Sequence, residues 1–296
     1  MRLSEIPAAL GATVVRDAEF DNLGFLFDNL ENKLVFCEAQ RFVAAVRQAH
    51  GAGCVLCSPD LGPAFKDAGG LALADEPRIA FFRIQRFLVK ETQFYGEPFA
   101  TEIHSSAHIH PRAWVEQTNV RIGPDTVIEA NAVIGRETIV GARAHIRAGA
   151  VIGSEGFQSA RQRDEILQME HGGGVVIQDA VEIFANAVVA RAVFRQSTVI
   201  GEWSRIGNGA FVSHNVQIGK RCFVGHNAAI NGNTTVGDDV WIGPNATVSN
   251  LLHIGDGAKV SLGATVVQSL PPGARVTGMT ALEHQRMLRL IASSKR

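Results

Sequence analysis

From Ile200 onward an aliphatic residue returns at every sixth place: Ile200, Ile206, Val212, Ile218, Val224, Ile230, Val236, Ile242, Val248, Ile254, Val260 and Val266. With Ile, Val and Leu at roughly one position in four, such a run is an accident on the order of one in ten million. A period of six is too long for strand alternation and does not match a helical turn. It fits a hexapeptide β-helix, in which each hexad makes one short strand and one turn and three hexads close a triangular coil. The residue after the aliphatic is usually small, as at Gly201, Gly207, Gly219 and Gly225, which predicts that these positions let the chain turn the corners. A second small or β-branched residue three places later, as at Ala210, Val216, Cys222 and Ala228, completes the hexad.

The same period runs earlier through Ile103, Ile109 and Val115, slips by one residue, and resumes from Ile122 to Ile152. Residues 154–174, "SEGFQSARQRDEILQMEHGGG", then interrupt it, and after Val189 the spacing is irregular until Ile200. Counting hexads gives about eight coils, each rising ~4.8 Å, the spacing of strands in a sheet. A segment ejected from a strict solenoid is a functional candidate, weighed against a tolerated surface insertion. Residues 1–100 lack the period; "LVFCEAQRFVAAVRQAHGAGCVLCSPD" reads strand, helix, strand, so a small α/β domain is expected there. Residues 101–270 are then the β-helix, and 271–296 an exit loop with two prolines followed by a helix striped with Leu282, Met287, Leu288 and Ile291, which would cap the open end.

Lys and Arg number 28 against 29 Asp and Glu, a balance that argues against nucleic acid as the partner. No apolar run approaches the ~20 residues of a membrane helix, and "MRLSEIPAALGATVV" has no basic-then-apolar leader, so a cytoplasmic protein is expected. Cys37, Cys54, Cys57 and Cys222 fit reduced thiols, and the Cys54–Cys57 pair reads as part of a buried strand.

A solenoid is mostly core, so its chemistry belongs on the outer corners. His104, His108 and His110 bunch together but fall at corners of the first coil, and no metal site is expected there. The stretch "FVSHNVQIGKRCFVGHNAAINGN" offers His214 and His226 at equivalent places in two hexads. One coil above His214 stands Gly232, whose bare backbone leaves an N–H open; above His226 stands Pro244, which has none. A histidine beside an exposed amide is a minimal acyl-transfer site: the imidazole takes a proton from the attacking amine or hydroxyl and the N–H holds the oxyanion. The competing reading makes both histidines polar corner residues. As a base, an unperturbed imidazole would give a rate rising through a group near ~6.5.

The N-terminal α/β domain, the hexapeptide solenoid, the "VIGSEGF" loop, "VSHNVQIG" and the Pro-Gly exit together resemble the UDP-3-O-acylglucosamine N-acyltransferases of lipid A biosynthesis. The resemblance implies a mainly β fold, a left-handed parallel β-helix of hexapeptide repeats with a small N-terminal α/β domain and a C-terminal helix. It further implies a homotrimer with sites in the clefts between subunits, and transfer of a 3-hydroxyacyl chain from acyl carrier protein to the amine of a UDP-linked, O-acylated glucosamine. The acyl-phosphopantetheine donor is a co-substrate, and no other cofactor is implied. His214 matches the family's base and Gly232 its oxyanion amide; Phe36 and Phe42 match the aromatics that hold uracil, and Phe157 and Asn215 are further substrate-binding positions.

Departures accompany the likeness. Ala39 stands where the family tends to carry an Asn, Phe42 where it often has Tyr, and Ala190-Arg191-Ala192 where it has Asp-Arg-Gly. A second family histidine aligns with Leu251, while His253 falls two places later. These changes keep open an acyltransferase that uses acyl-CoA or acetyl-CoA on another nucleotide-linked amino sugar, and a non-catalytic solenoid. Arg286, Arg289, Lys295 and Arg296 give the last helix a cationic face that suits an acidic carrier protein, or that simply favours the C-terminal end of the helix dipole.

Overall fold

Inward aliphatics at every sixth place wind most of the chain into a left-handed parallel β-helix, and in the computed structural model three parallel sheets of eight, nine and eight strands form its faces. Residues 1–162, 165–278 and 284–293 are described. Most strands are two residues long, the first facing out and the second in: Phe211–Val212 pairs with Ala229–Ile230 directly above, eighteen residues on. The inward aliphatics of all three faces join one continuous buried core with the small second positions Ala210, Val216, Cys222 and Ala228.

The corners work differently from the expectation. Positive φ falls three places after the aliphatic, at Asn215, Arg221, Asn227, Asn233, Asp239, Asn245 and Leu251, again at intervals of six. Asn and Asp tolerate this left-handed conformation, whereas Arg221 and Leu251 are held in it by the coils around them. The glycine that follows the aliphatic serves another purpose. A Cβ on Gly219 would lie 2.6 Å from the carbonyl carbon of Gly237 one coil above, so the residue must be small because the coils stack so closely.

Before the β-helix lies a five-stranded sheet built from β1 (Thr13–Arg16), β2 (Asn22–Leu23), β3 (Lys33–Cys37), β4 (Ala52–Cys57) and β5 (Gly70–Leu73). Its order is β1-β5-β4-β3-β2, parallel except for β1. Helices α1 (Val43–Gln48) and α2 (Pro77–Lys90) accompany it. Cys54 and Cys57 lie in β4, and all four cysteines are buried and free, with burial pushing the Cys54, Cys57 and Cys222 thiols up to about 11. The last helix, α3, spans His284–Ser293; Leu282, Lys295 and Arg296 lie outside the described residues.

Residues 154–174 are no slack loop. They fold back as an antiparallel hairpin, Ser159–Gln162 with Glu165–Gln168, and dock on α2. Gln162 bridges Arg83 (3.0 Å) and Glu76 (2.6 Å), Lys90 pairs with Glu170 (2.6 Å), and Gln85, fully buried, donates to the carbonyls of Glu170 and Val193. Where the hexads are irregular, residues 191–196 leave the prism, and Val193 and Phe194 enter the apolar core of the α/β domain with Ala160 and Met169. The division near residue 100 is therefore one of chain order, and the packing runs across it.

Close stacking carries a testable cost. Gly219→Val should lower stability by ~1–3 kcal/mol through overpacking, while Thr235→Val, exposed on an outer face, should change it by no more than about 0.5 kcal/mol. Chemical denaturation of both variants checks this; equal effects would refute the steric role of the glycine.

Candidate active site

One cavity of about 540 Å³ lies where the α/β domain, the ejected segment and one corner of the β-helix meet. The β-helix contributes a column of corner residues, His214, Gly232 and Asn250, each one coil above the last, with Ser213, Asn231 and Asn233 beside them. Stacking is direct: Asn233 N–H donates to the His214 carbonyl (3.0 Å) and Leu251 N–H to that of Gly232 (3.1 Å). The His214 ring lies against Gly232, where a Cβ would come within 2.5 Å of Cε1, 2.7 Å of Nε2 and 3.0 Å of Nδ1. Any side chain at 232 would displace the imidazole. No acceptor is paired with the Gly232 N–H among the described residues.

The opposite wall is aromatic. Phe25 and Phe27 come from the loop after β2, Phe36 from β3, Phe42 from the turn before α1 and Phe82 from α2, while Phe157 stands at the mouth, 90% exposed. The loop after β2 is set by a buried lysine: Lys33 donates to the carbonyls of Phe25 (3.0 Å) and Asp28, and the Asp28 carboxylate accepts from Phe25 N–H (2.7 Å). Burial lifts the Asp28 carboxyl to about 6 and lowers the Lys33 ammonium. At the aromatic end Arg78 forks onto Glu38 through two hydrogen bonds, of 3.1 and 2.5 Å, and its guanidinium stands 5.7 Å from the Phe36 ring centre.

Five of the six residues singled out by sequence, Phe36, Phe42, Phe157, His214 and Gly232, thus line one cavity. Asn215 does not. It occupies the left-handed corner position, its Oδ1 accepts from Val193 N–H (2.8 Å) and its Nδ2 donates to Gln196 (2.5 Å), so it anchors the 191–196 excursion. His226 is an exposed corner residue whose Nδ1 accepts from Asn208 N–H (3.0 Å), and His253 faces outward from a strand, away from the cavity. Glu38, Arg78 and Asn250 were not foreseen; only the eighteen-residue spacing could have pointed to Asn250. Equally unforeseen is His171, wholly buried beside His214 with ring centres 5.7 Å apart.

Burial decides the electrostatics. His214 is lowered to about 4 by desolvation and by the neighbouring His171, which burial also lowers to about 4. The ordinary imidazole value near ~6.5 therefore does not apply. At neutral pH both rings are therefore uncharged.

Sequence comparison adds relatives. Residues 119–154 and 215–250 match the bacterial transferase hexapeptide (six repeats), and residues 233–268 the hexapeptide repeat of succinyl-transferase. A UDP-3-O-acylglucosamine N-acyltransferase of Campylobacter concisus is 33% identical over 239 residues, 73% of each chain. Another, of Leptothrix cholodnii, is 29% identical over 251 residues, 72% of this chain and 70% of that one. Among solved structures, the UDP-N-acetylglucosamine acyltransferase of Francisella novicida aligns with a TM-score of 0.49 at 20% identity, over 64% of this chain and 71% of that one.

A group whose folded form resists protonation makes the fold acid-sensitive. Between pH 6.5 and about 4 the unfolded chain takes up protons that His171 and His214 refuse in the fold, so their contribution falls as pH falls through that window. Asp28, raised to about 6, works the other way in part of the range, one carboxyl against two imidazoles. His214→Ala should therefore lose less stability than the native chain between pH 7 and pH 5 in denaturant titrations; parallel losses would contradict the burial argument.

Proposed function

Because the chain belongs to the UDP-3-O-acylglucosamine N-acyltransferase family, we propose that this acyltransferase moves a 3-hydroxyacyl group from acyl carrier protein to the amine of a UDP-linked, acylated glucosamine, with His214 as general base. The observation that carries the reading is the His214 imidazole seated against the unpaired Gly232 N–H at the end of a cavity whose other end is aromatic. The aromatic end suits a flat base stacked between Phe36 and Phe42. The remaining length of the cavity suits the sugar that carries the amine.

The neutral amine attacks the thioester carbonyl carbon, and its N–H becomes acidic as the C–N bond forms. His214 Nε2 accepts that proton while the Gly232 N–H holds the oxyanion. Collapse of the tetrahedral intermediate breaks the C–S bond. An imidazolium that burial has made a strong acid then returns the proton to the departing thiolate, giving amide and free thiol.

Donor and assembly belong to the same proposal. Arg286 and Arg289 are exposed on α3, where cationic side chains would steer an acidic carrier protein. Phe223 and Trp241 stack, rings 5.6 Å apart, on an outer face of the prism and are 51% and 46% exposed, an apolar surface suited to a neighbouring subunit of a homotrimer. No helix among the described residues is long and apolar enough to cross a membrane.

The aromatic end also supports a second acceptor. Ala39 brings no amide to the base, and the polar groups there are Arg78 and Glu38, so another nucleotide-linked amino sugar fits the same walls.

His214→Ala should reduce turnover by about a hundredfold or more with the fold intact, whereas His226→Ala should leave it within a few-fold. With native enzyme, kcat/KM divided by the neutral fraction of the acceptor amine, titrated separately, should show no titration of the base near pH 6.5 and should fall only as the pH approaches about 4. Steady-state kinetics over pH 4–8 check both. Equal losses in the two variants, or a fully active His214→Ala, would remove the base from this position.

A further inference from the structure

His171 is a buried titratable side chain that the proposed chemistry leaves unused. It closes the ejected segment, wholly buried, with its ring edge-on to that of His214: centres 5.7 Å apart, planes at 84°. Gly156, near the start of the same segment, touches both rings. A Cβ there would come within 2.6 Å of His171 Cε1 and 2.9 Å of His214 Cδ2, so the contact between the imidazoles requires glycine. Each ring also keeps one buried nitrogen without a hydrogen-bond partner among the described residues, Nε2 of His171 and Nδ1 of His214. Buried polar atoms are seldom left in that condition.

We propose that His171 is a positioning residue for His214, the two orphan nitrogens being bridged by one buried water that sets the tautomer of the base. The inference rests on His214 acting as that base.

The backbone around His171 shows why a tautomer is at stake. Its Nδ1 faces Gly156 N–H at 3.2 Å, which needs an acceptor, and the Arg191 carbonyl at 3.1 Å, which needs a donor. With its proton on Nδ1, His171 donates to Arg191 and offers the Nε2 lone pair to the bridging water, which accepts the Nδ1–H of His214. The lone pair on Nε2 of His214, which lines the cavity, is then free to take the substrate's proton. With its proton on Nε2, His171 donates to the water instead, the water donates to His214 Nδ1, and the His214 proton sits on Nε2, where the ring cannot act as a base. Once His214 has accepted a proton it carries N–H on both nitrogens, and only the first arrangement satisfies it. No net proton passes to His171.

The charges that face this pair are Glu155, whose Oε2 lies 3.9 Å from His171 Nδ1, Arg191, which is bound to Glu155, and the adjacent Glu170. Glu155 also accepts from His171 N–H (3.0 Å). Its carboxylate therefore holds the segment and the Arg191 side chain, while Nδ1 of His214 is left to His171.

The test uses the full chain labelled with 15N-histidine. In the native protein at pH 7 the His214 shifts should report the Nδ1–H tautomer. His171→Phe should move that population toward Nε2–H and lower kcat about ten- to a hundredfold, with KM little changed, while the melting temperature falls because Gly156 N–H and the Arg191 carbonyl lose their partner. His171→Gln, whose side-chain carbonyl can accept from the same water, should recover part of both effects, and His171→Met serves if the phenylalanine does not fold. A folded apolar variant with native kcat and the native His214 tautomer would overturn the proposal, as would loss of stability alone. An active His214→Ala would instead refute the base assignment; the tautomer shift in His171→Phe is read separately from it.

Discussion

Everything at this site depends on one packing constraint: coils of eighteen residues stacked at a single strand spacing. Under that constraint a corner residue has no choice of neighbour, because the residue one coil above lies directly on it. Three columns of corner residues result. One is ionic, with Lys220 bound to Glu202 below (3.1 Å) and its N–H to Asp238 above (2.8 Å). The second carries His226 and Pro244, and the third His214, Gly232 and Asn250. The second and third share a geometry and differ in what the upper residue offers. Proline has no N–H; glycine has one, and room beside it for an imidazole.

The prism alone would leave His214 on an open edge. What encloses it is the break in the repeat: the ejected hairpin and the 191–196 excursion both reach across to α2, and the excursion is anchored by Asn215, the residue next to His214. The proposed base and the docking of the α/β domain thus meet within two adjacent residues. Enclosure has an electrostatic consequence. By removing water from His214 and His171 it holds both below the ordinary imidazole value, so both are neutral at pH 7, the state the proposed base requires.

Much of this could be read in the residues beforehand. A twelve-fold period of six dictates coil length, and coil length alone places Gly232 over His214. The corner chemistry was misread, since the glycines after the aliphatics looked like turn formers; the left-handed residues are the Asn and Asp three places on, a second period hidden because Arg221 and Leu251 also occupy it. Asn215 was grouped with the substrate by its motif, but its side chain turns inward to hold backbone. His171 could not be anticipated. It belongs to a segment without periodicity, and only tertiary packing brings it to His214. The Arg78–Glu38 pair was likewise invisible, joining residues forty apart.

Product identity tests the central claim most directly. The enzyme would be incubated with mixed 3-hydroxyacyl carrier proteins, acyl-CoA species and UDP-linked amino sugars, and the products resolved by tandem mass spectrometry. The account predicts a single class of product, an amide formed by a 3-hydroxyacyl chain on the amine of an acylated UDP-glucosamine, drawn from the carrier protein. An ester in place of the amide, or no acyl transfer to any UDP-linked amino sugar, would contradict it.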